Sequence, residues 1–375
     1  MPVSSDQQLV PGCATPEGTA RYRDRFANHR PGHFRDARGL WLSSIGLGTY
    51  LGEPTPECDA RYRDAVTRAL EMGANVIDSA SNYRHQRSER AIGEALAAMI
   101  SQGSVRRDEV FLATKGGFLT FDGEEPEDPA AYFQETLIET GLIEPRDVAA
   151  NCHVMSPRYL EHQIDVSRRN LGIETIDLYY LHNPETQLSA VSRPEFYGRL
   201  TDAFTALENA VATGKIRAYG VATWNAFRVA PAAPDSVPLL EVMHAASKAG
   251  GPAHHFQAVQ LPFNLAMVEA LTAKTQALDG DLAPALRATR ICGLTVFTSA
   301  SILQGQLAQA MPDELRSRFA GLATDAQRAI QFVRSTPGVA CALVGMSHRE
   351  HVEENLATAL VPPLSREGYR ALFED

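Results

Sequence analysis

Residues 73–83 read GANVIDSASNY. Val76 and Ile77 have the character of a buried strand, yet the run ends on an acid, Asp78, with small residues and Tyr83 close behind. A carboxylate carried toward a core is costly unless it is paired or hydrogen-bonded. Either Asp78 caps a turn, or a partner for it comes from elsewhere in the chain. The strand is one of a series. LSSIGLG (42–48), NVID (75–78), VFLAT (110–114) and IDLYYLH (176–182) are short continuous apolar runs. AYGVAT (218–223), AVQLP (258–262), LTVFTS (294–299) and VACALVG (339–345) continue it. Unbroken rather than alternating apolar runs suit parallel strands covered on both faces.

Helical patterns lie between them. CDARYRDAVTRALEMG sets Ala65, Val66, Ala69 and Leu70 on one face, and SERAIGEALAAMI does the same with Ile92, Leu96 and Ile100. A third helix has Pro194 near its start and Gly214 just past its end. Strands alternating with helices eight times predict an α/β fold, a (β/α)8 TIM barrel. A doubly wound sheet competes, but GLGTYLG lacks the GxGxxG spacing, and Asp78 follows it by more than thirty residues rather than about twenty. The expected organisation is an N-terminal extension over 1–40 and a single barrel domain over 41–375. An acidic insertion at about 117–156, after the third strand, is longer than an ordinary βα loop.

The chain has 375 residues and a formal charge of −10. That balance argues against nucleic acid and anionic membranes as partners, since both need a basic face. No apolar run is long enough to span a membrane, and the polar, proline-broken N-terminus does not read as a signal peptide. Five scattered cysteines without a CxxC pair suit a reducing, cytoplasmic setting.

Strand C-termini of a parallel barrel converge on one face. Asp78, Lys115 and His182 end successive strands, and Tyr83 lies in the loop after Asp78. Singly, each has a bland account: a cap, a solvated charge, a structural histidine, a half-buried aromatic. Together on one face they suit proton transfer by a phenol. A nearby ammonium favours phenolate and should lower the tyrosine pKa from about 10. Asp78 would then pair with Lys115, and His182 would orient a carbonyl oxygen. A barrel metallohydrolase is a competing reading, but no His-x-His pair lies on an early strand.

GANVIDSASNY, FLATK, IDLYYLH and GKIRAYGVATW, in that order and with SERAIGEAL after Tyr83, resemble the successive motifs of the aldo-keto reductases. The resemblance covers roughly residues 40 to 360 and implies a (β/α)8 barrel using NADP(H) or NAD(H), without a metal. It implies a catalytic tetrad of Asp78, Tyr83, Lys115 and His182. The substrate would be a small carbonyl or alcohol, possibly a sugar. For the cofactor it implies Thr49, Tyr50, Asp78 and Gln260, the last on the nicotinamide carboxamide. The fifth strand departs from the family: Ala222-Thr223 stands where Ser-Asn is usual, so two amide contacts are lost, and Thr223 is left to bind the cofactor by donating and accepting one hydrogen bond. Ser299 replaces the tyrosine that stacks on nicotinamide, and Trp224 could compensate. In VGMSHREHVEENLATAL, Ser347 and Glu350 read as a capping box, and a helix N-terminus there can hold a phosphate. Glu354 and Asn355 match the adenine-contacting pair. The usual basic residues for a 2′-phosphate fall on Gly345 and His351, with His348 and Arg349 as substitutes, and family habit favours NADP(H) slightly. The alternative is a catalytically weak, cofactor-binding regulatory or scaffold protein on the same barrel.

Overall fold

In the computed structural model, which describes residues 8–278 and 280–374, every apolar run forms a strand, and one is divided. The run 42–48 bends at Ser44, so its first half belongs to a hairpin and its second to the barrel. The hairpin is β1 (Phe34–Ala37) with β2 (Leu40–Ser43). β3 (Ile45–Gly48), β4 (Val76–Asp78), β5 (Phe111–Gly116), β6 (Leu178–His182), β7 (Tyr219–Ala222) and β8 (Phe256–Pro262) follow. A second hairpin, β9 (Lys274–Leu278) with β10 (Asp281–Pro284), precedes β11 (Thr295–Ser299) and β12 (Val339–Gly345). β3 pairs in parallel with both β4 and β12, so the sheet closes in the order β3 to β8, β11, β12. That closure distinguishes a barrel from a doubly wound sheet.

In chain order the helices are α1 (Pro16–Asp24), α2 (Pro56–Glu71), α3 (Arg87–Ser101), α4 (Pro129–Phe133) and α5 (Pro157–Leu171). Then come α6 (Arg193–Ala212), α7 (Leu239–Gly250), α8 (Glu269–Thr272), α9 (Ala285–Ile291), α10 (Asp313–Ser317), α11 (Asp325–Ser335), α12 (Arg349–Leu356) and α13 (Arg366–Arg370). Their ends follow local chemistry. Thr55 and Ser192 cap α2 and α6 through their hydroxyls, each with proline in the first turn. α3 buries Ile92 and Leu96, and burial of such a side chain is worth roughly 1.5–3 kcal/mol. No helix among the described residues is long and apolar enough to cross a membrane.

Side chains alternate in and out along a strand. The interior is filled from below by Val76, Phe111, Ala113, Leu178, Tyr180, Ala258, Phe297, Cys341 and Leu343. Leu40 and Leu42 of the β1–β2 hairpin join that cluster and close its lower end, beside Phe111 and Leu178, the first residues of β5 and β6. The same period carries Asp78, Lys115, His182, Gln260, Ser299 and Gly345 into the topmost inward layer. An apolar strand therefore ends on an acid because its last inward position faces the mouth of the barrel rather than its core.

The hairpin side is locked by Asp177, which is fully buried just before β6. It accepts from Ala14 N at 2.6 Å, Arg107 Nη2 at 2.7 Å and Leu112 N at 2.8 Å. The segment 117–156 packs a small apolar cluster of its own, Leu137, Ile143 and Val154, against Tyr159 of α5. It leaves β5 at Gly117 and returns through an antiparallel bridge between Phe118 and His153.

Candidate active site

Lys115 lies fully buried at the end of β5 with its ammonium turned across the barrel mouth. Its Nζ is 2.5 Å from Asp78 Oδ2, 2.7 Å from the Ser79 carbonyl and 3.3 Å from the Tyr83 hydroxyl. The other carboxylate oxygen of Asp78 accepts from Gln260 Nε2 at 2.8 Å. The partner that a buried acid requires is thus Lys115, with Gln260 sharing the load. Thr49 is buried beside them and donates to the Asp78 carbonyl at 3.2 Å.

Tyr83 is positioned by an unusual turn. Arg84, His85 and Gln86, the next three residues, all have positive φ, at 48°, 55° and 70°. Each such residue without glycine costs about 1–2 kcal/mol, so side chains must hold the turn. Arg84 donates to Asp59 Oδ1 at 2.6 Å and to Ser88 Oγ at 3.1 Å, and Gln86 Nε2 donates to the Phe121 carbonyl at 2.9 Å. Strain of this kind persists where surrounding contacts over-determine it.

Burial holds the Tyr83 phenol above its ordinary pKa; the Lys115 ammonium pulls the other way and does not outweigh it. This corrects the expectation of a lowered value. Removal from water disfavours phenolate more than one hydrogen-bonded ammonium at 3.3 Å favours it. Burial works against the Lys115 charge, but Asp78 and Tyr83 more than offset it and the ammonium is held above its usual range. His182 is driven well below the usual imidazole range by burial, by the nearby Lys115 charge and by His153. The site therefore presents a neutral phenol and a neutral imidazole over a buried ion pair.

The His182 ring is packed edge-on between Tyr83, at 5.9 Å between centroids, and Phe118, at 5.0 Å. Its Nδ1 is buried with no hydrogen-bond partner. Asp78, Tyr83 and His182 line one cleft of about 790 Å³, with Lys115 behind its wall. Thr49, Tyr50, Thr223, Gln260, Ser299, Gly345, Ser347, His351, Glu354 and Asn355 line the same cleft, as do Asn82, Phe118, Asn183 and Trp224.

Three local expectations change on contact with the geometry. The Thr223 hydroxyl donates to Glu185 Oε1 at 2.6 Å and accepts from Ala226 N at 2.8 Å, so its proton and one of its two lone pairs are spent within the chain. α12 begins at Arg349 with His348 as its N-cap and no side-chain cap, so the Ser347–Glu350 box does not form. The extended His348 puts Ser347 one residue too early, on the cleft wall. Arg349 pairs instead with Asp64 at 3.1 Å and Glu353 at 3.3 Å, which takes it out of the set that faces the cleft.

Several residues of the cleft wall and of the layer behind it were not singled out as site residues in the sequence. Phe118 and His153 enter from the two ends of the 117–156 segment. Asn82 carries a buried Oδ1 without a partner. Glu185 accepts from Trp224 N at 2.9 Å and Asn225 N at 3.1 Å as well as from Thr223, and so sets the loop that presents Trp224. The HNPE sequence after β6 and the His at the re-entry of the long segment were the available signals. Among the described residues no group of three or more His, Cys, Asp or Glu is placed to hold a metal ion.

The model of the Aldo/keto reductase family matches residues 44–270. Among curated proteins, the NADH-specific methylglyoxal reductase of Escherichia coli is 28% identical over 192 residues, 50% of each chain. The aldo-keto reductase yakc [NADP(+)] of Schizosaccharomyces pombe is 28% identical over 196 residues, 52% of this chain and 45% of that one. The 6-dehydroglucose reductase of Novosphingobium aromaticivorans is 28% identical over 198 residues, 51% of each. The chain spans about half the length of these relatives. An aldo-keto reductase from Bacillus halodurans in its holo form superposes with a TM-score of 0.61 at 19% identity, covering 91% of this chain and 96% of that one. One from Klebsiella pneumoniae in complex with NADP and acetate gives 0.59 at 22% identity, covering 91% and 94%. At such identities the likeness is one of fold.

Proposed function

As the chain belongs to the aldo/keto reductase family, we propose that it is a nicotinamide-dependent oxidoreductase acting on a small carbonyl or alcohol. Tyr83 is the general acid in reduction and the general base in oxidation. One observation carries the reading: Lys115 Nζ touches both Asp78 Oδ2 and the Tyr83 hydroxyl at the wall of the cleft. The bound nicotinamide supplies the hydride for reduction and accepts it in oxidation. The Tyr83 O–H gives its proton to the carbonyl oxygen, and the phenolate left behind is stabilised by the ammonium already beside it. Asp78 anchors that ammonium, so no reorganisation is needed as charge develops. The His182 imidazole, neutral and facing the cleft, donates to the same oxygen and orients it.

The wall suits a dinucleotide. Thr49, Tyr50, Gln260, Ser299 and Trp224 flank the ring end, and the start of α12 offers its free amides with Ser347, His348, His351, Glu354 and Asn355 at the adenosine end. Asn355 Oδ1 is buried without a partner and fits an amine donor such as that of adenine. No Lys or Arg is among the lining residues, so a 2′-phosphate finds no charge-assisted pair of the kind that discriminates strongly. Relatives named for NADP(+) and for NADH match equally well. We therefore expect NADPH and NADH both to bind, with dissociation constants within about tenfold of each other, a difference of about 1.4 kcal/mol. Fluorescence titration with each measures this. Absence of binding to either would remove the proposal, and binding without turnover on a broad carbonyl panel would favour the scaffold reading.

For the substrate end, Asn82, Asn183, Phe118 and Trp224 make a neutral wall of hydrogen-bonding and aromatic groups. Such a wall suits a polyhydroxylated carbonyl, a sugar among them, and offers an anionic substrate no cation. The pH dependence follows from the two neutral groups. With the phenol pKa raised and the imidazole pKa lowered, reduction should be nearly flat from the ordinary histidine value of about 6.5 up toward the ordinary tyrosine value of about 10. Oxidation needs phenolate and should climb through that range. A reduction profile that rises or falls through an inflection near the ordinary histidine value would contradict a neutral His182.

A further inference from the structure

The segment between β5 and α5 leaves the barrel at Gly117 and returns beside its own start at His153, a fully buried histidine. Its Nε2 lies 2.7 Å from the carbonyl oxygen of His182. Its Nδ1 lies 2.9 Å from Gln187 Nε2, which also donates to the His153 carbonyl at 3.0 Å. Which way the Gln187 amide faces is set by Arg199, whose Nη1 donates to Gln187 Oε1 at 2.8 Å. An amide nitrogen only donates, so His153 Nδ1 accepts and the ring proton sits on Nε2, aimed at His182. Burial keeps His153 neutral, with its pKa pushed down to about 4. The chain Arg199–Gln187–His153 thus ends on the backbone of His182 with every donor and acceptor assigned.

The space for this contact is built. Gly117 has φ +131°, and a Cβ there would lie 2.9 Å from His153 Nε2 and 3.3 Å from the His182 carbonyl oxygen. Any larger residue would suffer the backbone conformation and also push the two histidines apart. Gly117 N donates to Gln163 Oε1 at 2.7 Å, which pins the start of the segment. Phe118 then sets its ring edge-on to both His153, at 5.1 Å, and His182, at 5.0 Å.

We propose that His153 is a positioning residue for His182, and that the 117–156 segment exists in part to deliver it. An imidazole that works through one ring nitrogen is commonly oriented by a hydrogen bond at the other. That bond is missing here, since His182 Nδ1 is buried and unpartnered. The carbonyl bond from His153 takes its place. It fixes the backbone where the chain turns from β6 into Asn183, which has left-handed φ of 45°. With that backbone fixed and Phe118 and Tyr83 on either side, the His182 ring has one seat. Of the two His182 ring nitrogens only Nδ1 is sealed off without a partner, and orphaned buried N–H groups are rare, so the proton belongs on Nε2, toward the cleft.

The inference rests on the reading of the cleft as a carbonyl site, and its test separates the two. His153→Leu removes both hydrogen bonds, and His153→Gln keeps a donor able to reach the His182 carbonyl. Long-range 1H–15N spectra of the imidazoles, taken without substrate or cofactor, report the His182 tautomer directly. His153→Leu should shift or broaden the His182 signals, and kcat/KM for carbonyl reduction should fall about ten- to a hundredfold. NADPH and NADH dissociation constants should move less than about twofold, and His153→Gln should recover both spectra and turnover. Unchanged His182 signals in His153→Leu would overturn the proposal, as would a His153→Gln protein no better than His153→Leu. Should His153→Leu not fold, Gln187→Leu frees the His153 tautomer with the histidine in place and is expected to give the same spectral change in smaller measure. If the unaltered protein reduces no carbonyl, the functional reading fails, while the spectra still decide whether His153 seats His182.

Discussion

Tyr83→Phe is expected to cut kcat for carbonyl reduction by about a thousandfold or more, with nicotinamide affinity nearly unchanged. Positioned general acids contribute roughly 10²–10⁴ in rate, and here the acid also leaves its charge beside a waiting ammonium. The substitution removes one oxygen and little else. The ring keeps its edge contact with Tyr50 at 5.0 Å and with His182 at 5.9 Å, and it stays over the Lys115 ammonium at 4.9 Å. Lys115 keeps Asp78 and the Ser79 carbonyl. The loss of one hydrogen bond should cost about 0.5–1.5 kcal/mol of stability, so the folded protein remains available for assay. Steady-state turnover beside a cofactor titration checks it. Turnover equal to that of the unaltered protein would take the proton-transfer role away from Tyr83.

Lys115→Met should be damaging twice over. It strands the Asp78 carboxylate in a buried site with only Gln260 as a donor. Removing one partner of a buried pair costs about 3–5 kcal/mol, which for a chain of this size is a fall in Tm of roughly 4–6 °C. Turnover should also fall by about a thousandfold, because the Tyr83 phenolate loses the charge that stabilises it. The double change Lys115→Met with Asp78→Leu separates these losses. Replacing a whole buried pair by apolar groups is often close to neutral for stability, so Tm should largely return while turnover stays lost. Calorimetry and a rate assay on the same samples read both quantities. Recovery of turnover in the double variant would mean that the pair is structural and that Tyr83 acts without it.

Much of the barrel was legible because its signals are local. Val76-Ile77-Asp78 announces a buried strand and its end within three residues, and the same grammar repeats seven more times. The run 42–48 misled in detail, since nothing apolar or polar in it marks the bend at Ser44 that divides hairpin from barrel. The Ser347–Glu350 spacing matched a capping box, but the extended His348 starts the helix one residue later. The left-handed run Arg84–Gln86 gave no sign, because no glycine marks it and its cost is met by Ser88 nearby together with Asp59 and Phe121, which lie far away in sequence.

The residues of this chain by themselves determined a closed parallel barrel and the set of polar groups that end its strands. A period of two in each strand and the convergence of parallel strand ends leave Asp78, Lys115 and His182 little choice of direction. Tertiary structure decided how those groups behave. Whether Lys115 or burial governs the Tyr83 phenol depends on how much water the assembled wall excludes, a sum over every neighbour. Whether Thr223 is free depends on the path that brings Glu185 beneath it, and whether Arg349 faces the cleft depends on Asp64 on a neighbouring helix. That His153 reaches the His182 carbonyl depends on where a forty-residue excursion re-enters the barrel, through the gap that Gly117 leaves open. Such contacts are set by the meeting of distant segments, for which a local pattern of residues carries no signal.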